Sequence, residues 1–188
     1  MRGRYSPEIQ SAGSIAFPVL LLILADQGSK YWVKHHFIGG YRDWGNGLIR
    51  IWGMLNPKYR AFSSVPEFLF AVLPELLINL AVLGAGWLMY GFIRDRFGMG
   101  KGMRAGFALF FAGMLSTVID RFIPGGNPVF IEIASRFQID LKDLYLAAVR
   151  VMLVWFIFAG FDTWRNLDVQ QTVEDAGAYI KGKFSRRR

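Results

Sequence analysis

The stretch FFAGMLSTVIDRF, Phe110–Phe122, runs apolar until Asp120 and Arg121 close it. A second greasy run, LKDLYLAAVRVMLVWFIF, Leu141–Phe158, carries Asp143 at its head, with Asp140 just before it. Carboxylates at the end of one apolar segment and the start of the next make sense if both segments cross a membrane in opposite directions. The acidic ends then share one level. Composition agrees: 53% of the 188 residues are hydrophobic and 16% aromatic, more than a soluble domain of this size buries.

A span needs about 20 apolar residues to cross about 30 Å of hydrocarbon. Four segments qualify, roughly Ala12–Val33, Phe68–Ile93, Ala105–Ile123 and Leu144–Phe161. The expected fold class is therefore an all-α integral membrane protein of four transmembrane helices, with residues 1–166 as the membrane domain and 167–188 as a cytoplasmic basic tail. The first span resembles a signal peptide, with Arg2 and Arg4 ahead of FPVLLLILA. Ile23, two before Ala25, breaks the small-x-small cleavage pattern, so the segment reads as an uncleaved span. Lys and Arg are densest in the short Arg94–Arg104 loop and at the C-terminus, which points to N-in/C-in topology.

The net charge of +8 sits between spans and in the tail KGKFSRRR, as cytoplasmic flanks do, so no nucleic acid is expected as partner. With no cysteine, disulfides and thiolate metal sites are excluded. His35 and His36 are adjacent and form no metal site by themselves, and neither metal nor cofactor is expected. MGKGMRAG reads as an inner turn, because no strand precedes it and the spacing is not that of a phosphate loop.

A helix rising from Ala105 carries Asp120 about 22 Å up, just inside the outer face, and Asp143 begins the descent from that face. Two close carboxylates in such a setting resist joint ionisation and share a proton, which is the aspartic-protease arrangement. The same residues have a plain structural reading. Asp140 suits an N-cap, Asp143 the third helical position, and the Asp120–Arg121 pair the point where a span leaves the bilayer. Asp26 and Lys30 add a polar pair four residues apart on one face near the outer end of the first span.

Asp26, Gln27, Ser29 and Lys30 resemble the Asp-Gln-x-Ser/Thr-Lys signature of the lipoprotein signal peptidases, or signal peptidase II. The resemblance covers roughly residues 12–162 and extends to Asn56, Ala61, Phe62 and Ser63 after the first span, Gly113, Asp120 and Arg121 in the third, and Asp143 in the fourth. It implies four spans with both termini inside, a small outer β-rich segment after the first, and a bacterial inner-membrane location. It also implies a hydrolase that cleaves diacylglyceryl-modified prolipoproteins before the lipidated cysteine. Asp143 then stands at one catalytic aspartate, and Asp26, Lys30, Asn56, Arg121 and Asp140 become substrate-binding or structural polar residues.

The chain departs from that pattern at four places, the first being LNPKYRAFSS, which has one extra residue and no glycine. Ser116 and Thr117 occupy the positions of a Gly and an Asn, and Asp140 and Lys142 those of an Asn and an Ala. Nine residues past Asp120, where the family's second catalytic aspartate belongs, stands Val129. Glu132 is the nearest carboxylate, so Glu132 and Asp120 are the two candidate partners for Asp143. The functional expectation is a monomeric, membrane-embedded aspartic endopeptidase. The alternative is an inactive relative that binds a lipidated peptide, lipid or membrane partner, and more distantly a transporter using Glu75, Asn79 and Arg150.

KHHFIGGYRDWGNGLIRIWGML, after the first span, mixes glycines with aromatic and β-branched residues. It reads as a small outer-leaflet sheet with Trp44 and Trp52 at headgroup level, or as an interfacial aromatic loop. The tail from Leu167 reads as a cytoplasmic helix that either touches anionic lipid or stays solvated. Arg150, inside the fourth span, calls for a partner, and Glu75, at similar depth in the second, is the expected one, with Asn79 as a further acceptor.

Overall fold

A computed structural model describes residues 13–37, 41–44, 48–56, 68–123, 127–133, 136–159 and 168–185. Helix α1 (Gly13–His36) is followed by strands β1 (Tyr41–Trp44) and β2 (Ile49–Asn56). A π-helical turn, Phe68–Val72, leads into α2 (Leu73–Phe97), and α3 (Lys101–Asp120) follows at once. Then come β3 (Asn127–Ile133), β4 (Phe137–Ile139), α4 (Leu141–Ala159) and α5 (Val169–Ser185).

Helices α2 and α3 are long and apolar enough to cross a membrane, yet only 22% and 33% of their most apolar windows is buried inside the protein. Surface that greasy needs an apolar solvent, so the chain is a membrane protein. The turn between them is short. Gly98 takes φ 71°, a conformation that favours glycine. Helix α3 starts at Lys101, so Lys101–Arg104, read from sequence as part of the turn, form its first turn instead. Arg104 Nε donates to the Met99 carbonyl at 3.0 Å, fastening that turn.

The apolar core lies toward this end of the helices. Ile15 and Val19 of α1, Tyr90 of α2, and Phe107, Phe111 and Ala112 of α3 are its centre. Tyr90 meets Phe107 edge-on at 5.3 Å and Phe111 at 6.2 Å, a preferred aromatic geometry. Helix α3 packs against α1, α2 and α4, so it is the central helix. Two glycines permit these approaches. A Cβ on Gly86 would lie 2.3 Å from the Phe110 ring, and one on Gly113 would lie 2.8 Å from the Leu146 side chain and 3.4 Å from the Lys142 carbonyl. Gly113→Val is therefore expected to force α3 and α4 apart and cost about 1–3 kcal/mol. Thermal unfolding in detergent measures this, and an unchanged transition would mean that the seam is loose.

At the opposite end the two interhelical segments form one four-stranded antiparallel sheet, in the order β1-β2-β3-β4. The β1–β2 pair meets the expectation of a small sheet after α1. Strands β3 and β4 are an addition from the later segment. The register sets Asp43, Arg50, Glu132 and Gln138 in one row across all four strands. Alternating charge along that row favours the register, with Arg50 3.3 Å from Asp43 and 3.5 Å from Glu132. The side chains of Trp44, Trp52 and Asn56 lie outside the described residues. Asn56 itself ends β2, opposite Asn127.

One expectation is overturned here. Glu75 pairs with Arg121, at the end of α3, and Arg150 is exposed. Similar expected depth suggested the pair, but Arg150 is exposed on α4. Asn79 is not the extra acceptor either, and its Nδ2 is buried without a hydrogen bond.

Candidate active site

Asp26 and Lys30 lie one turn apart on α1, and the i,i+4 geometry brings Lys30 Nζ within 2.6 Å of Asp26 Oδ2. The ammonium reaches further, to both oxygens of Asp120 at 3.0 and 2.8 Å and to Asp140 Oδ2 at 3.2 Å. Lys142 enters from α4, pairs with Asp140, and lies 3.0 Å from Asp120 Oδ2. Gln27 Nε2 bridges Asp26 and Asp120 at 3.0 and 2.9 Å. Three carboxylates and two ammonium groups thus form one cage, and all five residues are buried.

The cage has an electrostatic logic. Asp120 closes α3, where the negative end of the helix dipole disfavours a carboxylate, and Lys142 sits in the first turn of α4, where the positive end disfavours an ammonium. Each charge is wrong for its own helix and right for the other's. Asp26 also works across helices, since its Oδ1 accepts the Lys142 backbone N–H at 3.0 Å and so caps α4 from α1. Tyr145 Oη adds a 3.3 Å bond to the Leu22 carbonyl.

Asp140 and Asp143 form a reciprocal capping box. Asp140 Oδ1 accepts the Asp143 N–H at 3.2 Å, and Asp143 Oδ2 accepts the Asp140 N–H at 3.1 Å. This is the capping geometry that their spacing predicts. Burial opposes the charge on Asp140, but Lys142 and Lys30 beside it outweigh that cost and hold its carboxyl below the usual carboxylate value. Asp143 is only half-buried, unlike the caged three.

The candidate residues thus fall into groups. Asp26, Lys30, Asp120 and Asp140 meet in the cage, and Asp143 adjoins it through the capping box. Arg121 turns to Glu75 on α2. Glu132 is buried at 6% exposure on β3, beside Arg50. Ser116, at a position where the resemblance expects Gly, is fully buried one turn before Asp120, and its Oγ has no hydrogen-bond partner. Thr117 Oγ1 donates back to the Gly113 carbonyl at 2.9 Å. Sequence reasoning left Gln27 and Lys142 out of the site. Gln27 was visible only as part of the DQGSK motif, and Lys142 only as a charge where a small residue was expected.

The cage joins three helices. Asp120 Oδ1 accepts from Gln27 and Lys30, and Oδ2 accepts from Lys30 and pairs with Lys142. Asp120 thereby ties α1, α3 and α4 together.

Comparison with known proteins agrees with this architecture. The sequence profile of Signal peptidase (SPase) II, peptidase A8, matches residues 18–159. No curated protein matches the chain. Two solved structures share the fold, both bacterial membrane enzymes determined by the in meso method. The first, at 2.3 Å, has a TM-score of 0.63 and 21% identity over 84% of this chain and 95% of its own. The second, at 1.9 Å, has a TM-score of 0.58 and 22% identity over 78% and 93%. With Asp26, Lys30 and Asp120 gathered at one end of the bundle, Ala61, Phe62 and Ser63 outside the described residues, and most of the chain matched, this protein belongs to the signal peptidase II family.

Proposed function

We propose that the protein is a four-span, N-in/C-in protein of the bacterial inner membrane that cleaves prolipoprotein signal peptides, with Asp143 and Glu132 as its hydrolytic pair. Helices α1 and α4, of 24 and 19 residues, reach about 36 and 28 Å at 1.5 Å per residue. Both present exposed apolar side chains, among them Leu20, Leu21 and Leu24 on α1 and Leu153, Trp155 and Phe158 on α4, which suits contact with hydrocarbon.

The observation that carries the assignment is the caging of Asp120. It favours Glu132 over Asp120 as the partner of Asp143. Asp143, aligned by the resemblance with a catalytic aspartate, is the one carboxylate of the cluster that keeps partial exposure. Glu132 opposes Gln138, two residues before Asp140. In this reading one carboxylate takes the proton of the attacking water, while the other, protonated, polarises the scissile carbonyl and then protonates the leaving nitrogen. The bond broken is the peptide bond preceding the diacylglyceryl cysteine.

Val129 supports a second reading. It occupies the place of the family's second catalytic aspartate and is buried on β3, as suits a non-hydrolytic relative that holds the lipidated peptide. One assay separates the two. The purified protein is incubated in detergent with a diacylglyceryl prolipoprotein, and the released signal peptide is measured. The peptidase reading expects release by the natural chain and a loss on the order of 100-fold or more in Glu132→Gln. Binding without release would establish the second reading, and full activity in Glu132→Gln would remove Glu132 from the pair.

A further inference from the structure

Helix α5 lies outside the residues matched by the family profile, yet it is firmly attached. Arg96 pairs with Asp175, Tyr179 Oη donates to Asp95 Oδ2 at 3.2 Å, and the Tyr179 ring meets Phe92 at 5.7 Å. A Cβ on Gly91 would lie 2.4 Å from Tyr179 Oη, so glycine admits the approach. These contacts fall in the last two turns of α2, which places α5 at the level where that span leaves the hydrocarbon.

The face turned to α2 carries Asp175, Tyr179 and Lys183. The neighbouring face carries Val169, Val173 and Ile180, 69%, 65% and 41% exposed. At 100° per residue these three fall within about 40° of one another, a single apolar stripe with no cover among the described residues. Gln171, Glu174 and Lys181 lie on the remaining, exposed side. Past Asp175 the sequence has no acidic residue, while Lys181, Lys183 and Arg186–Arg188 follow.

We propose that α5 is an interfacial membrane helix. Its Val169–Val173–Ile180 stripe lies in the leaflet on the side of the Gly98–Gly100 turn, and its basic C-terminal half engages anionic phospholipid headgroups. An apolar stripe held at the hydrocarbon boundary, beside a polar face and a run of cations, is the pattern of helices that lie in the bilayer surface. Lysines at that surface are attracted to anionic lipid. The inference does not depend on hydrolysis, so its failure and that of the peptidase reading are read by separate assays.

The natural absence of cysteine provides the test. Full-length Val173→Cys, Ile180→Cys and Glu174→Cys variants are labelled with one fluorophore each and reconstituted in phosphatidylcholine nanodiscs with or without phosphatidylglycerol. Nitroxide on the lipid chains is expected to quench the labels at 173 and 180 several-fold more than the label at 174, with aqueous iodide showing the reverse order. Phosphatidylglycerol should widen the difference, and Lys181→Gln with Lys183→Gln should weaken that dependence. Equal iodide access at all three positions overturns the proposal. Shielding of 173 that persists in detergent together with a dimeric mass also overturns it, because it would give the stripe to a second copy of the chain.

Discussion

Asp143→Asn is expected to lower prolipoprotein cleavage by about 1,000-fold while leaving the fold intact. Asparagine keeps the oxygen that accepts the Asp140 N–H at 3.1 Å, so the capping box survives and only the exchangeable proton is lost. Asp120→Asn should behave differently. It removes charge from a buried residue that faces two lysines, so the loss should appear first in thermal stability, with activity following the folded fraction. Near-normal cleavage by a folded Asp143→Asn protein would end the dyad mechanism, and a cleavage defect in Asp120→Asn without a stability defect would return Asp120 to the chemistry.

Lys142→Ala is expected to destabilise the protein by about 3–5 kcal/mol, whereas Asp140→Asn/Lys142→Ala should be close to neutral. The cage holds Asp26, Asp120 and Asp140 against Lys30 and Lys142, one acid in excess. Removing Lys142 alone leaves two buried charges without compensation. Removing Asp140 with it keeps the excess at one, and asparagine still caps α4. Unfolding midpoints of the two variants in the same detergent give the comparison. If the double variant is as unstable as the single, the two residues do not act as a pair, and the crowding of charge at this end of α4 is not a compensated exchange.

Much of the helical scaffold was legible because apolar runs and membrane thickness constrain each other. The observed α1, α2, α3 and α4 overlap the four segments read from sequence. Asp26 with Lys30 and Asp140 with Asp143 were legible too, since both pairs interact within a few residues along the chain. What spacing cannot carry is azimuth between helices. Depth alone put Arg150 beside Glu75, but a helix has a back as well as a height, and Arg121 held the inward position. For the same reason the i,i+4 rule found Asp26 for Lys30 and was silent about Asp120 and Asp140. Strands β3 and β4 escaped notice because GGNPVFIEI followed by ASRFQ is short and lacks clean alternation, and because the pairing edge belongs to β2, far earlier in the sequence.

That distant edge shapes how the protein is made. About seventy residues and two long helices separate the end of β2 from the start of β3, an interval of several seconds at ribosomal rates of ~5–20 residues per second. Until then the β1–β2 hairpin carries an open edge, and an isolated hairpin is marginally stable in water. Its completion must await α2 and α3, so closing the sheet is a late event of synthesis and reports, by happening at all, that the helices before it have been laid down in order.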